Sequence, residues 1–211
     1  MSDVSRALRH PWHDLERQRE ATLFGVWVFI ATEALFFGGL FLAYAVDRSL
    51  HAQEFARAGR EASIVYGTAN TAVLMTSSLT MALAVRAAEA RLRRFTIAML
   101  AATLAFGFGF LIIKAFEYAD DIDRGLMPGL NFALPVASAS LFWTLYWVMT
   151  GLHAAHVTGG LGIIGRLLYL TARRELPVAT SPDFEATALY WHLVDIVWVL
   201  LYPLLYLVGR S

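Results

Sequence analysis

One carboxyl group lies in the middle of a long apolar segment near the start of the chain. Glu33 stands within Ala21–Val46, where the other side chains are apolar or small and weakly polar. A helix of this length crosses a bilayer, and an ionised carboxylate at its centre costs several kcal/mol. We therefore expect a neutral, paired or water-connected carboxyl. Glu33 is a candidate for proton transfer or gating or for anchoring a partner, and hydrogen bonding of its protonated form to a neighbouring helix is the alternative.

Two histidines three residues apart form the second candidate. His153 and His156 project from one side of the same helix. Their spacing can chelate a metal, but two imidazoles are an incomplete set, and haem ligation by two histidines needs ligands on opposite sides of the iron. The chain contains no cysteine, which excludes thiolate sites and disulfides. We predict no metal in this chain and imidazoles that bind a helix, a carboxyl or a lipid headgroup, with His153 pairing with Glu33 if their helices meet.

A histidine and an aspartate one helical turn apart form the third candidate. His192 and Asp195 lie among aromatic residues in Tyr190–Trp198. Such a pair can neutralise itself, so the first interpretation is a structural network between helices. Lipid binding or proton handling is the alternative, because a carboxyl at membrane depth needs a reason.

Small polar residues recur along another apolar segment at a spacing of seven. Asn70 and Ser77 share one helical face, as do Thr71 and Ser78. We predict that they hold helices together, with a headgroup or water site as the alternative. Glu117, near the end of the next apolar segment, is assigned to the same class of packing residue.

The composition places all of these residues in a membrane protein. Hydrophobic residues make up 58% of the chain, charged residues 16%, and the mean hydropathy is +0.55. We predict an all-α integral membrane fold, a bundle of five transmembrane helices, with 1–21 as a cytoplasmic N-terminal segment and 22–211 as one membrane domain. The helices are expected at about 22–46, 67–88, 95–118, 134–170 and 185–208.

The distribution of arginines predicts the orientation. Basic residues precede the first helix, follow the second and follow the fourth, whereas an acidic cluster lies after the third, at Glu117, Asp120, Asp121 and Asp123. The positive-inside rule therefore places the N-terminus in the cytoplasm and the C-terminus outside. The formal net charge of zero gives no basis for nucleic-acid binding.

Five segments, in order, resemble the signature stretches of subunit III of haem-copper cytochrome c oxidases, in its bacterial five-helix form. These segments are Phe24–Phe37, Asn70–Thr71 with Ser77–Ser78, Lys114–Tyr118, Thr150–Val157 and Tyr190–Trp198. Glu33 falls on the buried helix carboxyl of that family. Lys114 stands where the familiar motif often has Gln, which is a departure from the pattern.

The resemblance implies an accessory subunit of the aerobic respiratory chain, in the bacterial cell (inner) membrane. It implies no haem or copper in this chain and both in the partner subunits, direct packing against subunit I, and subunit II in the same complex. It also implies two groups of helices around a V-shaped cleft that holds structural phospholipids, and a contribution to proton uptake while oxygen is reduced to water. Glu33, His153, His156, His192 and Asp195 are the proton or lipid candidates under this interpretation.

Three alternatives remain at this stage. A quinol oxidase and a nitric oxide reductase partner belong to the same class, because five-helix versions occur with each. A stand-alone proton-coupled transporter built around Glu33, His153 and Asp195 is a different class, but such transporters often show inverted repeats and broken helices, which the sequence does not convincingly show.

Overall fold

The structure is a computed structural model that describes residues 14–129, 132, 137–174, 181–207 and 210. Every regular element in this part of the chain is an α-helix, so the predicted all-α class is confirmed. The helices are α1 (Leu15–Leu50), α2 (Ala52–Glu61), α3 (Ile64–Glu89), α4 (Arg93–Asp123), α5 (Ala137–Arg173) and α6 (Asp183–Tyr206). Residues 1–13, 130–131, 133–136, 175–180, 208–209 and 211, which the sequence predictions include, lie outside the described residues.

Four of the described helices, α1, α3, α4 and α6, are long and apolar enough to cross a membrane. The chain is therefore a multi-pass membrane protein. Helix α5 corresponds to the fourth predicted span but is not among the four, because its middle carries His153, His156 and several polar aromatic residues that lower its hydropathy.

Helix α2 was missed from the sequence, where 47–66 reads as a connection with mixed charges. Phe55 and Ala58 are buried on one face of this helix, while Arg57 and Arg60 are exposed on the other. The ring of Phe55 lies 5.5 Å from that of Tyr44 and 5.6 Å from that of Phe142. This short amphipathic helix therefore seals one end of the bundle against α1 and α5.

Trp191 of α6 is the point where four helices meet. Its indole is fully buried, and its Nε1 donates a hydrogen bond of 3.1 Å to Ser77 Oγ on α3. A Cβ atom placed on Gly160 of α5 would lie 2.8 Å from the Trp191 ring, and one on Gly107 of α4 would lie 3.0 Å from it. Both positions require glycine because the indole occupies the space of a side chain.

Helix α1 lies on the outside of the bundle, where it contacts α5 and α6. Arg19 forms an ion pair of 2.7 Å with Glu185 near one end, and the Tyr44 hydroxyl donates to the Leu204 carbonyl near the other. Most of its large apolar side chains point away from the protein, including Phe24, Trp27, Leu35 and Leu42. Helix α1 therefore offers a long apolar face to lipid or to another membrane protein.

Candidate functional site

Glu33 contacts His156 across the interface between α1 and α5. Glu33 Oε2 lies 3.1 Å from His156 Nε2, at ion-pair distance but without the alignment of a hydrogen bond. Both side chains are mostly buried, with exposed fractions of 17% and 22%. Phe37 packs edge-on against the imidazole, with ring centroids 5.4 Å apart. Because the surroundings are apolar, a charge on one of these two side chains is costly unless the other side chain neutralises it.

The second imidazole nitrogen fixes how the pair can share a proton. His156 Nδ1 lies 2.8 Å from the Leu152 carbonyl oxygen, which can only accept, so Nδ1 carries a hydrogen. The neutral imidazole therefore turns the lone pair of Nε2 towards Glu33. One proton between Glu33 and Nε2 satisfies both groups, either as a carboxylic acid facing an imidazole or as a carboxylate facing an imidazolium. The geometry suits a group that holds and exchanges a single proton.

A cavity of about 610 Å³ lies between α1, α5 and α6, about one helical turn from this pair, and neither Glu33 nor His156 lines it. Its walls are mainly apolar and include Phe29 and Tyr190, whose ring centroids are 5.8 Å apart. Arg166 also lines it, and no ion pair of Arg166 is found in the described part of the chain. We call this cavity the α1–α5–α6 groove. An apolar slot with a guanidinium suits an amphiphile with an anionic headgroup.

His153 does not contact Glu33, contrary to the expected pair. It is fully buried, with its ring 5.4 Å from that of Phe110 and 5.2 Å from that of Trp198. Neither of its nitrogens has a hydrogen-bond partner among the described residues. Residues three apart on a helix are displaced by about 60°, so His156 faces α1 while His153 faces the bundle interior.

His192 and Asp195 are less closely paired than their spacing suggested. His192 Nδ1 lies 4.0 Å from Asp195 Oδ2 but 2.8 Å from Ser78 Oγ on α3. Asp195 is 4% exposed, and neither of its carboxyl oxygens has a hydrogen-bond partner in the described ranges. The nearest polar contact of His192 is therefore a hydroxyl group.

The four small polar residues of α3 differ in what they contact. Ser77 Oγ donates to the Thr103 carbonyl at 3.3 Å, and Thr71 Oγ1 accepts from Trp198 Nε1 at 3.1 Å. Asn70 is fully buried, and its side-chain atoms have no hydrogen-bond partner within the described residues. With Ser78, which contacts His192, these residues lie where α3 meets α4 and α6. The helix-packing role stays a prediction.

A buried polar cluster joins α4, α5 and α6. Lys114 Nζ donates to Glu117 Oε2 at 3.0 Å, to the Tyr146 hydroxyl at 2.9 Å and to the Tyr206 hydroxyl at 2.8 Å. The Tyr146 hydroxyl oxygen also lies 2.9 Å from Glu117 Oε1 and 3.0 Å from Asp121 Oδ2. Taken as whole residues, all five are at most 1% exposed. We call them the Lys114 cluster.

The described residues contain no group of three or more His, Asp or Glu side chains that could hold a metal ion. Within the Lys114 cluster, the ammonium group of Lys114 occupies the position between a carboxylate and two hydroxyls that a cation would take. Neither the Glu33 pair nor the His192 pair gathers a third ligand. The expectation of haem and copper in partner subunits concerns proteins outside this chain.

Comparison with known sequences then identifies the family. A sequence model described as cytochrome c oxidase subunit III matches residues 7–210. The chain belongs to the cytochrome c oxidase subunit III family. Among its relatives, cytochrome c oxidase subunit 3 of Thermostichus vulcanus is 31% identical over 98% of this chain and 93% of its own length. The corresponding protein of Bacillus subtilis is 29% identical over 88% of this chain and 85% of its own length.

A relative from a second class of oxidase is equally similar to this member of the subunit III family. Cytochrome bo(3) ubiquinol oxidase subunit 3 of Pseudomonas aeruginosa is 28% identical over 93% of this chain and 91% of its own length. The predicted resemblance and the role of an oxidase accessory subunit are confirmed. The family assignment favours this role over the stand-alone transporter.

The sequence singled out only part of the polar interior of this subunit III. Lys114 was noted as a departure, and Glu117 as a packing residue, but Asp121, Tyr146 and Tyr206 were not chosen. Lys114, Glu117 and Asp121 recur at spacings of three and four, which places them on one helical face and could have revealed the cluster. The partners on α5 and α6 carry no such signal, because a tyrosine near a helix end is normally an interfacial anchor.

Proposed function

We propose that this subunit III binds a phospholipid in the α1–α5–α6 groove while α1 packs against the catalytic subunit I of a cytochrome c oxidase. The groove is the observation that carries the proposal. Its lining combines an apolar wall with the cationic side chain of Arg166, and Asp183 is the acidic residue there. The pair of Glu33 and His156 lies outside the lining but joins α1 to α5, two of the helices that form the groove. An acyl chain fits the wall, and a phosphate fits the guanidinium.

The same proposal assigns a role to the exposed face of α1. Phe24, Trp27 and Leu35 are between 58% and 78% exposed in the isolated chain. A neighbouring membrane subunit or annular lipid would cover such a face. In the proposed complex, subunit II is a separate chain, and the haem and copper groups are bound by chains other than this one. The groove and α1 together would form one wall of the V-shaped lipid cleft, between two groups of helices.

The proposed topology has five spans in the bacterial inner membrane, because α5 is counted in addition to α1, α3, α4 and α6. The exposed arginines at the start of α4 and the end of α5 lie on the cytoplasmic side with the N-terminus, and α2 lies outside. Fusion of a reporter to residue 211 tests this arrangement. Activity of a periplasm-dependent reporter supports it, and activity of a cytoplasm-dependent reporter contradicts it.

We further propose that the Glu33 and His156 pair supports proton uptake by subunit I. The pair can hold one proton at membrane depth, beside the groove, and it lies on the helix that we propose as the contact with subunit I. Stabilisation of subunit I during turnover follows from the same contact. Proton uptake measured with and without this subunit in the reconstituted oxidase tests this role.

Purification of the oxidase from its native membrane in mild detergent tests the assignment and the lipid site together. A reduced-minus-oxidised spectrum with haem a, and a subunit II that carries copper, would support a cytochrome c oxidase. A subunit II without its copper centre would indicate a quinol oxidase instead. Mass spectrometry of copurified lipids should show fewer anionic lipids per complex for Arg166→Ala, but not for Arg94→Ala, an exposed arginine on the same proposed side.

A further inference from the structure

The Lys114 cluster contains more buried carboxyl groups than buried cations. Glu117 and Asp121 are both 1% exposed, and Lys114, which is paired with Glu117 at 3.0 Å, is the cation of the cluster. With both carboxyls ionised, the cluster would carry one uncompensated negative charge in the interior of the bundle. Such a charge is expensive in a medium of low dielectric constant, and binding one proton removes it.

The hydrogen bonds of Tyr146 also indicate that the cluster binds one proton. Its hydroxyl has one hydrogen, yet its oxygen lies within 3.0 Å of oxygens of both Glu117 and Asp121. If both carboxyls were ionised, one carboxylate oxygen would face the hydroxyl oxygen with no hydrogen between them. If Asp121 is protonated, it donates to the Tyr146 oxygen, and Tyr146 donates to Glu117. Every short contact then has one donor and one acceptor.

The proton belongs on Asp121 and not on Glu117. Glu117 Oε2 accepts directly from the Lys114 ammonium, which stabilises its charged form. The Asp121 side chain has only the Tyr146 hydroxyl as a hydrogen-bond partner in the described part of the chain. Arg124, the cation nearest along the helix, instead binds Glu61 at 2.6 Å and Asp120 at 3.9 Å, on the exposed side.

We propose that the Lys114 cluster is a proton-binding site that holds one proton on Asp121 in mildly acidic solution. The groups around this proton are Lys114 and Glu117 of α4, Tyr146 of α5 and Tyr206 of α6. Arg124, which follows α4, and its partner Glu61 of α2 are the nearest charges on the exposed side. The proton comes from water as the carboxylate becomes a carboxylic acid. The site is separate from the Glu33 and His156 pair, and it does not depend on the proposed lipid and proton-uptake roles.

Infrared spectroscopy of the purified oxidase complex in mildly acidic buffer tests this site. A protonated carboxyl has a C=O stretching band that a carboxylate lacks, so the spectrum of the wild type minus that of Asp121→Asn should contain one carboxylic acid band. Asp123→Asn is the matched control, since Asp123 is exposed on the same helix. Its difference spectrum should contain no such band. An absent band for Asp121→Asn overturns the proposal.

A second variant tests the charge balance and covers the case in which Asp121→Asn fails to assemble. In Glu117→Gln, Lys114 balances the charge of Asp121, so Asp121 should lose its proton and the same band should disappear. Persistence of every carboxylic acid band in Glu117→Gln overturns the argument. Thermal stability gives an independent readout, because a proton held only by the folded state makes stability fall as pH rises. The fall of thermal stability with rising pH should be smaller in Asp121→Asn and unchanged in Asp123→Asn. An equal fall in both variants contradicts a proton-binding site at Asp121.

Discussion

Glu33 and His156 meet at 3.1 Å across the interface between α1 and α5. Their contact joins the most exposed helix to the bundle at membrane depth. Because His156 Nδ1 is committed to the Leu152 carbonyl, Nε2 is the nitrogen that can share a proton with Glu33. Substitutions that keep or remove this shared proton should therefore separate packing from proton handling.

Glu33→Ala should leave the subunit foldable but shorten the working life of the oxidase or slow its proton uptake. Glu33→Gln keeps the size of the side chain and can donate to His156 Nε2, but it cannot exchange a proton. Both variants should show the same defect if proton exchange matters. The number of turnovers before inactivation and the rate of proton uptake in vesicles measure it. Wild-type behaviour of Glu33→Gln with a defect in Glu33→Ala would show that the pair serves packing alone.

Two ion pairs of the same spacing and length occur in different surroundings, which allows a matched test. Lys114 and Glu117 are 3.0 Å apart and about 2% and 1% exposed, whereas Arg86 and Glu89 are 3.0 Å apart and 81% and 57% exposed. Removing one partner of a buried pair typically costs about 3–5 kcal/mol, because the other charge is left uncompensated. Lys114→Met should therefore lower the melting temperature of the complex strongly.

The exposed pair provides the control for this experiment. Arg86→Met should change stability by less than about 1 kcal/mol, since water screens an exposed pair. The double variant Lys114→Met with Glu117→Leu should recover part of the loss, because no unpaired charge from this pair remains. Equal melting temperatures for Lys114→Met and Arg86→Met would contradict the buried geometry.

Several parts of this architecture can be predicted from the sequence, because they depend on patterns that recur within a single helix. Long apolar segments predicted the helices, and their bounds differ from the observed ones mainly where polar turns extend beyond the membrane. Helix α1 begins at Leu15 and α4 ends at Asp123, both in charged sequence. The Asp14 side chain accepts a hydrogen bond of 3.1 Å from the Glu16 amide. This N-cap explains why α1 begins earlier than hydropathy suggests.

The parts that could not be predicted depend on contacts between helices. Spacing places His153 and His156 near one another. Only the packing of α1 decides that His156 meets Glu33, and only the packing of α6 decides that His153 meets Trp198. The same holds for the Lys114 cluster, whose carboxyls are visible on α4 but whose tyrosines come from α5 and α6. Helix α2 was missed for a different reason, because its apolar face of Phe55 and Ala58 is short and interrupted by charges.

Gly160→Val should disrupt the meeting of the helices at Trp191. The added Cβ would lie 2.8 Å from two indole carbons, and a fully buried ring cannot move aside without displacing α3 and α4. Overpacking of this kind typically costs about 1–3 kcal/mol, so thermal stability and the yield of assembled complex should fall. Gly162→Val on the same helix has no atom within 4 Å of the new Cβ and should change stability little. Equal losses for both variants would indicate a general effect of valine in α5.

Phe55→Ala tests whether α2 seals the end of the bundle. The Phe55 ring is fully buried between Tyr44 of α1 and Phe142 of α5, so its removal leaves a cavity that the neighbouring rings cannot fill. Loss of a buried phenylalanine typically costs about 3–5 kcal/mol, and the melting temperature should fall accordingly. Phe108→Ala is the control, since Phe108 is 54% exposed on α4. If α2 only rests on the surface, Phe55→Ala and the wild type will have the same melting temperature and the same rate of proteolytic cleavage within 47–66. If α2 seals the bundle, cleavage there will accelerate as the melting temperature falls.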